Sequence, residues 1–446
     1  MTATSRILDR AFRPVDAASG AVFRIVFGIL MLIATLRFFA HGWISEYYEM
    51  PSHFFSYFGL DWIKPWPAPG MDVHFAVMAV LAVMITVGLW YRASVVLFGV
   101  LFAYAHLIDQ TNYLNHYYLV ICLCALMAVL PLHATCSLDA RRNASVRHGT
   151  MPTWVLWALR AQIGLVYVFG GIAKLKYDWV VEAMPLKIWL PGQTDFPVIG
   201  PWLAQEWMAY AFSWAGLAFD LSIVPLLLWS RTRRHAYFLV IGFHLVTARM
   251  FTLGMFPWIM MASSLIFLPP SWPRRLVATS RPLRCGPDNA PKPSRHPRLI
   301  LIALGVYFAF HVVMPFRHWL YPGDVCWTEQ GFRFSWNVMV MEKAGSVGFR
   351  VLEPSTGRKW SVPPTEYLTR YQTKMMSTQP DHILQLAHLI ADDFRDRGVR
   401  DPEVRVDAFA SLNGRPRQRL IDPSVDLARE TDSLAPRAWI LPRSTP

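Results

Sequence analysis

Long apolar runs dominate this chain and decide the solvent in which it folds. A helix needs about 20 apolar residues to cross roughly 30 Å of hydrocarbon, and many runs approach that length. Of the 446 residues, 54% are hydrophobic and only 16% are charged, whereas a soluble domain carries closer to a quarter charged. We therefore predict a multi-pass α-helical membrane domain with about eight or nine transmembrane helices. The predicted spans are residues 20–40, 73–90, 93–110, 116–131, 154–173, 208–229, 236–253, 255–268 and 299–316.

The basic residues lie between the apolar runs and predict the orientation of the chain. The net charge is +13, but it forms no continuous stripe, so nucleic acid is not an expected partner. Arginine-rich loops alternate with loops that contain only lysines, such as Lys64 and Lys174. Because positive charge is retained on the cytoplasmic side, the leader 1–19 and the Pro- and Arg-rich linker 281–298 are predicted to be cytoplasmic. If the segment 255–268 were re-entrant, the linker and its positive charges would lie outside, against this rule. A full crossing is therefore favoured.

The composition changes near residue 322, where a mixed α+β domain is predicted to begin. Val404, Val406 and Ala408 alternate with polar neighbours, which is typical of a half-buried strand. With nine crossings the domain 322–446 is extracytoplasmic, and its strand content suggests a β-sandwich-like fold. The predicted elements are strands 332–341, 347–352 and 404–413, a hairpin turn at Asn413-Gly414 and a helix over 380–397.

The five cysteines point to neither a metal site nor thiol redox chemistry. They form no C-x-x-C pair and no metal-ligand spacing. Cys122 and Cys124 lie inside an apolar run and are predicted to pack there. No metal is therefore expected.

Ionisable and strongly polar residues within the spans are costly, and such residues tend to be functional. The predicted topology places most of them between mid-membrane and the outer face. Each also has a simpler interpretation: Lys174 can snorkel from a helix end, His116 can be a hydrogen-bond partner, and the others can neutralise one another. Arg24 and Arg160 fall towards the cytoplasmic side and are interpreted as packing or helix-linking residues. The outer set is Asp109, Asn115, His116, Lys174, Asp220, His244 and Arg249.

A lysine at the rim of an apolar cavity loses hydration of its charged form, which favours the neutral amine. Such an amine can act as a general base towards a weak acid such as a phenol. A membrane site with aromatic walls suits a quinol, which is phenolic and lipid-soluble. Asn115 and His116 are placed to hydrogen-bond the oxygens of such a ring.

Several separated segments, in the same order, resemble the vitamin K-dependent γ-glutamyl carboxylase family, whose membrane part is the HTTM domain. The similarity runs with gaps from "DAASGAVFRIVFG" to about residue 430. No single segment is specific, but their order over nearly the whole chain is. The segments are "DQTNYLNHYYL", "GGIAKLKYDW", "FTLGMFPWIMMASSLIF", "PSWPRRLV", "GFRFSWNVMV" and "QRLIDPSVDL".

The resemblance implies an unusual reaction. In the family a lysine deprotonates reduced vitamin K, a hydroquinone, which then reacts with dioxygen and becomes a strong base and finally an epoxide. That base removes a γ-proton from a glutamate side chain, and the carbanion adds carbon dioxide. The family's base falls on Lys174 and not on Lys176, and its neighbouring amide and imidazole fall on Asn115 and His116. No metal takes part.

The resemblance and the predicted topology together define two sets of binding residues. The membrane domain 20–321 is expected to hold the quinol, and the domain 322–446 the peptide. The predicted quinol-binding residues are Asp109, Tyr113, Tyr167, Gly170, Gly171, Trp179, His244, Arg249 and Met255. The predicted peptide-binding residues are Phe334, Trp336, Met341 and Lys343.

The sequence also departs from the family pattern at the peptide end. Animal members continue the glutamate-binding stretch with a histidine and an arginine where this chain has Met341 and Lys343. They also carry a disulfide that has no equivalent here. These differences indicate a prokaryotic-type homologue in a bacterial plasma membrane, with menaquinol as an alternative to vitamin K. Its partners would be a glutamate-containing polypeptide, the bilayer and a quinone-reducing enzyme.

Two other functions stay open. A quinol epoxidase without carboxylase activity would agree with the altered Met341 and Lys343 region. A non-enzymatic scaffold or transporter is a third possibility, because fold alone does not determine function. Transporters often contain inverted repeats, and no internal repeat is evident in the sequence.

Overall fold

The computed structural model describes residues 3–277 and 296–444. Most of the predicted linker 281–298 and the first two residues of the predicted leader lie outside these ranges. The helices are α1 (Ala3–Phe12), α2 (Ala18–Ala40), α3 (Gly70–Val87), α4 (Tyr91–Leu107), α5 (Asn115–Val129), α6 (Leu138–Arg142), α7 (Thr153–Ala173), α8 (Tyr177–Val180), α9 (Leu186–Trp189), α10 (Gly200–Leu203), α11 (Glu206–Leu228), α12 (Arg233–Met250), α13 (Phe256–Ser264), α14 (Trp272–Val277), α15 (Pro297–Val313), α16 (Val325–Thr328), α17 (Arg370–Met376) and α18 (Pro380–Asp396).

Five helical segments among the described residues are long and apolar enough to cross a membrane. They are α2, α3, α7, α11 and the segment Pro297–Leu320, which contains α15. Three shorter apolar helical segments, including α4 and α5, occupy other predicted spans, and α12 occupies the remaining one. The chain is therefore a multi-pass helical membrane protein, and five of the predicted spans have the length and composition of a complete crossing.

Arg24 joins three parts of the bundle at the amino end of α2. Its guanidinium is fully buried and donates to the carbonyl oxygens of Ile85 and Thr86, at the end of α3, and of Leu132 and Cys136, after α5. These carbonyls would otherwise lack partners at helix ends. Arg24 is thus a helix-linking residue, as the sequence indicated.

Arg160 has the same role elsewhere in the bundle. Its Nε donates to the carbonyl oxygen of Ile266 at 3.0 Å, and its Nη2 lies within reach of those of Phe267 and Leu268. The arginine of α7 therefore holds the chain segment that follows α13, which confirms the second predicted packing residue.

The C-terminal region contains one four-stranded antiparallel sheet. Its order is β4-β3-β5-β6, and α18 packs its apolar face against the sheet. Burial alternates strictly along β5, which confirms the predicted strand, and α18 confirms the predicted helix. The strands of the molecule are β1 (Pro14–Asp16), β2 (Thr150–Pro152), β3 (Lys343–Leu352), β4 (Lys359–Val362), β5 (Glu403–Leu412) and β6 (Gln418–Arg419), with β1 and β2 forming a separate two-stranded antiparallel sheet.

Two expectations for this region are wrong. Residues 332–341 are not a strand, because Phe334, Trp336 and Met339 have φ values of 61°, 55° and 54°, which no β-strand tolerates. The region also lacks a second sheet among its described residues, so it is not β-sandwich-like. A helix covers the apolar face of the sheet that a second sheet would cover in a sandwich.

The hairpin turn after β5 attaches the C-terminal region to the membrane domain. Asn413 and Gly414 both have positive φ, at 51° and 75°, as the predicted tight turn requires. Asn413 Nδ2 donates to Asp178 at 2.7 Å, and Arg415 donates to both carboxylate oxygens of Asp178 at 2.8 and 2.7 Å. Bidentate pairs of this kind fix orientation. The pKa of Asp178 is lowered: burial opposes ionisation, but the bonds from Arg415 and Asn413 outweigh it.

Candidate active site

Lys174 caps the carboxyl end of α7 and lies inside the helix bundle. Its side chain is almost fully buried, and its Nζ donates to Asp220 Oδ2 at 2.8 Å. Nζ also lies 3.2 Å from the carbonyl oxygen of Gly170 and 3.4 Å from that of Val338. The centre of the Trp179 ring is 5.2 Å away. Lys174 is therefore held by partners within the protein and does not snorkel to the membrane surface.

The pairing with Asp220 also shows where Lys174 lies within the bundle. Asp220 lies about 21 Å along α11 from the first residue of that helix, at 1.5 Å per residue. Lys174 therefore lies inside the bundle, opposite the middle of α11. The short helices α8, α9 and α10 follow α7 and pack in a separate apolar cluster.

A small cavity of about 80 Å³ opens beside the Lys174–Asp220 pair. Tyr167 and His244 form its polar wall, with the Tyr167 hydroxyl 3.0 Å from His244 Nε2 and 3.2 Å from Ser264 Oγ. Most of the remaining lining is apolar or aromatic. The other lining residues that the sequence predicted are Gly170 and Trp179.

The two predicted glycines have different roles. A Cβ on Gly170 would lie 3.6 Å from Asp220 Oδ2 and 4.0 Å from Lys174 Nζ, so this glycine faces the polar pair. A Cβ on Gly171 would lie 2.6 Å from Leu221 Cδ2, which is too close for packed atoms. Gly171 therefore allows the close approach of α7 and α11 and does not line the cavity.

A larger cavity of about 410 Å³ adjoins the first and contains the predicted amide and imidazole. Asn115, His116 and Met255 line it, together with Arg37 and many aromatic side chains. The two cavities have four lining residues in common, Leu253, Phe256, Val338 and Met339. Lys174 and His116 therefore belong to neighbouring compartments, where the sequence predicted one.

Asn115 fixes the segment that separates these compartments from the C-terminal region. The Tyr113 hydroxyl donates to Asn115 Oδ1 at 3.0 Å and accepts from the Phe334 N–H at 2.7 Å. Asn115 Nδ2 lies 3.3 Å from the carbonyl oxygen of Asn337. The segment 332–341 is thereby held over both cavities, and two of its residues, Val338 and Met339, line them.

Four residues of the predicted set lie outside both cavities. Asp109 accepts from Thr111 and from Gln372 Nε2 at 2.8 Å, which ties α17 to the membrane domain. Arg249 forms a half-exposed pair with Asp195 at 2.6 Å. Local partners satisfy both charges, so neither is free to bind a ligand. Tyr113 acts through its bonds to Asn115 and Phe334, and Gly171 through helix packing.

The four predicted peptide-binding residues also fall into two groups, those that pack against aromatic rings and those that line a cleft. Trp336 is 1% exposed and packs in the membrane core, 5.0 Å from the Tyr118 ring, so it is not available to a peptide. Phe334 contacts the Tyr113 and Tyr118 rings. Met341 and Lys343 do line a cleft of about 870 Å³ in the C-terminal region. Lys343 is paired there with Glu329 at 3.0 Å.

Arg333, within the predicted glutamate-binding stretch, is committed to an internal network. Its guanidinium lies 2.6 Å from Asp381, donates to Gln379 and lies 2.9 Å from His382 Nε2. Burial alone would raise the pKa of Asp381, but the charge of Arg333 holds that pKa well below its usual range. Burial lowers the pKa of His382 to about 3, so this imidazole is neutral. Sequence patterns gave no sign of this network, because its members lie about 50 residues apart.

Lys176 occupies a different environment from Lys174. Its Nζ lies 3.0 Å from Cys326 Sγ and 3.7 Å from Asp324 Oδ1, and it lines neither cavity. The two lysines of "GGIAKLKYDW" therefore point into separate sites, and of the two only Lys174 lines the small cavity.

The helical bundle with its buried lysine–aspartate pair belongs to a recognised class of membrane protein. Residues 12–272 match the family model of the HTTM domain. Residues 296–445 match that of the vitamin K-dependent gamma-carboxylase, lumenal domain. The chain therefore belongs to the vitamin K-dependent γ-glutamyl carboxylase family. No solved structure matches the chain.

Proposed function

We propose that the protein is a quinol-dependent γ-glutamyl carboxylase whose base is the Lys174–Asp220 pair. The observation that carries this proposal is the 2.8 Å contact between Nζ and Oδ2 at the wall of an apolar, aromatic cavity. A buried ion pair contributes little to stability compared with apolar packing. Ionisable residues that are retained inside a membrane bundle are instead typical of functional sites.

The residues present suit a hydroquinone. The cavities supply flat aromatic walls, and Asn115, His116 and the Lys174–Asp220 pair supply polar groups for ring oxygens. When bound, reduced vitamin K or menaquinol reacts with dioxygen to provide the base that removes the glutamate γ-proton, after which carbon dioxide adds. The larger cavity has room for an apolar tail beyond the ring.

The residues of the chain have separate tasks in this proposal. Lys174 Nζ accepts the proton of the bound hydroquinone as the neutral amine, and the Asp220 carboxylate at 2.8 Å stabilises the ammonium that this transfer forms. Asn115 and His116 donate hydrogen bonds to the other ring oxygen. Trp179, Phe256 and Met339 exclude water from the pair, which strengthens every electrostatic interaction there.

We further propose that the chain crosses a bacterial plasma membrane at the nine predicted spans. The N-terminus is then cytoplasmic, and the domain 322–446 lies outside. In that orientation a secreted polypeptide reaches the domain directly, and a quinone-reducing enzyme regenerates the quinol from the bilayer. A division into two domains is supported by the two matched ranges, 12–272 and 296–445, although the second begins before the proposed boundary at 322.

The test is to give the purified protein reduced vitamin K or menaquinol, oxygen, labelled bicarbonate and a glutamate-rich peptide. Label in the peptide together with quinone epoxide is the expected result. Epoxide without label would select the epoxidase alternative, which the presence of Met341 and Lys343 in the cleft motivates. If neither product forms with any quinol, both enzymatic functions are excluded, and a scaffold or transporter is left.

Replacing Asp220 by asparagine should lower the epoxidation rate by roughly a hundredfold, because the base loses the carboxylate that stabilises its protonated form. The rate at saturating quinol is the quantity to measure. Asp195→Asn is the matched control, since Asp195 pairs with Arg249 at the surface, and it should retain the wild-type rate. An Asp220→Asn rate equal to that of the control would contradict the paired base.

A further inference from the structure

One edge of strand β3 is open over half of its length. β3 pairs with β5 along all ten residues, from Lys343 to Leu352. On its other side it pairs with β4 only from Phe349 to Leu352. The segment 343–348 therefore has a neighbouring strand on one side only. An unpaired edge of this kind can accept another extended chain.

The register shows which backbone groups face the open side. Glu342 exchanges hydrogen bonds with Asn413, at the β5 side, through its carbonyl oxygen and its N–H. Because backbone groups alternate along a strand, Lys343, Gly345 and Val347 turn theirs to the opposite side. Among the described residues these three form no backbone hydrogen bond outside the sheet. Each one offers an N–H and a C=O to a partner.

The cleft of about 870 Å³ lies along this open edge. Residues 343–347 form one wall, and α17 with Ser377 and Thr378 forms another. Gly345 lets α17 approach, because a Cβ there would lie 2.0 Å from the Ser377 carbonyl oxygen. The cleft thus has a wall of unpaired backbone groups and space beside it for a further strand.

The charges of the cleft favour an acidic occupant. Its lining contains four cationic side chains, Arg333, Lys343, Arg370 and Lys374, and two carboxylates, Glu329 and Glu342. Arg333 and Lys343 are neutralised by partners. Arg370 and Lys374 are exposed and have no side-chain partner among the described residues. These two free cations stand at the rim of the cleft.

We propose that a glutamate-rich segment of the substrate polypeptide binds as an added strand on the open edge of β3, at Lys343, Gly345 and Val347. This inference rests on the proposed function for the identity of the occupant. Main-chain pairing provides affinity with little dependence on sequence, and Arg370 and Lys374 select acidic side chains.

The same edge leads to the quinol site. Met339 lines the cavity of Lys174, and β3 begins four residues later, a distance of at most about 13 Å along an extended chain. A peptide paired with β3 therefore continues past Lys343 towards the segment that covers the Lys174–Asp220 pair. The binding edge and the base are joined by one short piece of backbone.

The first experiment uses a fluorescein-labelled peptide of alternating glutamate and valine, with binding measured by anisotropy in the absence of quinol. Two N-methylated forms are compared, one methylated on every glutamate and one on every valine. In strand pairing only alternate N–H groups face the partner. One form should therefore lose at least roughly tenfold in affinity while the other is unchanged. Equal effects of the two methylations would overturn the proposal.

The second experiment changes the protein. Proline is tolerated in an edge strand where the N–H faces away from the sheet, so Val347→Pro should fold but bind the peptide roughly tenfold more weakly. Val347→Ala is the matched control, because it shortens the side chain and keeps the N–H. Thermal unfolding compares the two folds. Equal affinities of the two folded variants would overturn the proposal.

Charge is tested separately with Lys374→Glu and with a peptide that has glutamine in place of glutamate. Both changes should weaken binding, and added salt should reduce the difference. Equal binding of the glutamine peptide would overturn an acidic occupant.

Failure of this inference and failure of the proposed function give different results. The methylation pattern without any carboxylated product would retain strand addition and reject the carboxylase. Carboxylated product without the pattern would do the reverse.

Discussion

Lys174→Arg should abolish epoxide formation, by a factor of at least about 10²–10⁴, while the protein stays folded. Arginine keeps the positive charge opposite Asp220, so the buried carboxylate retains a partner. It cannot be deprotonated in a protein and therefore cannot act as a base. The measurement is quinone epoxide produced per minute, together with the thermal unfolding midpoint.

This substitution separates a base from a structural cation. Lys174→Ala would be harder to interpret, since it leaves Asp220 buried without a partner at a cost of about 3–5 kcal/mol. Lys176→Arg is the matched control, because Lys176 contacts Cys326 and Asp324 outside both cavities, and it should keep normal activity. Activity that survives in Lys174→Arg and disappears in Lys176→Arg would assign the base to the other lysine.

Arg333→Met should lower the free energy of unfolding by about 3–5 kcal/mol at neutral pH. The change leaves the carboxylate of Asp381, 16% exposed, without its cation at 2.6 Å. The pKa of Asp381 lies well below its usual range in the wild type. The stability from this pair is thus complete above about pH 4 and is lost as pH falls through the folded value.

In the Arg333→Met variant, the pH dependence of stability has the opposite sign. A buried carboxylate without a cation has a raised pKa, so the variant loses stability as the pH rises and the group is forced to ionise. The difference between wild type and variant should therefore be larger at pH 7.5 than near pH 4. Unfolding midpoints at both pH values measure it. A difference that does not depend on pH would mean that lost packing, and not charge, destabilises the variant.

Arg350→Met provides the control for that experiment. Arg350 pairs with Asp407 at 2.7 Å on the exposed face of the sheet, with side chains 56% and 37% exposed. Exposed pairs contribute about 0–1 kcal/mol. This variant should unfold within that margin of the wild type at both pH values.

The sequence predicted elements whose burial follows a regular period. The apolar runs identified the membrane helices, and the alternation along β5 identified a strand with one buried face. The turn at Asn413-Gly414 was predictable because few residue pairs adopt positive φ in succession. These features depend on residues that are close in the chain, so a single sequence is sufficient to reveal them.

The strand prediction for residues 332–341 failed because their conformation depends on residues that are distant in the chain. Its aromatic residues have strand propensity, but that propensity reflects packing on a sheet surface. Here Trp336 and Phe334 pack on membrane helices instead, and left-handed residues turn the backbone to reach them. Contacts with residues about 220 positions away decide the conformation, and no local pattern contains them.

The candidate site was predicted in part. Lys174, Asn115, His116, Tyr167, His244 and Trp179 line the two cavities, but Asp109 and Arg249 do not. An acid near a helix end has the same sequence context whether it binds a ligand or a neighbouring amide. Asp220 was visible as a costly residue within a span, yet its pairing with Lys174 depends on how α7 packs against α11, where Gly171 allows a close approach. No local sequence pattern contains that packing.

Arg24 imposes an order on the assembly of the helix bundle. Its carbonyl partners lie 61 to 112 residues further along the chain. Until those residues have been made, the guanidinium of Arg24 has none of these four partners. The final contacts of α2 can therefore form only after α3 and the turn that follows α5 have been made. A chain that stops before Cys136 would lack at least one of the carbonyl groups that hold Arg24.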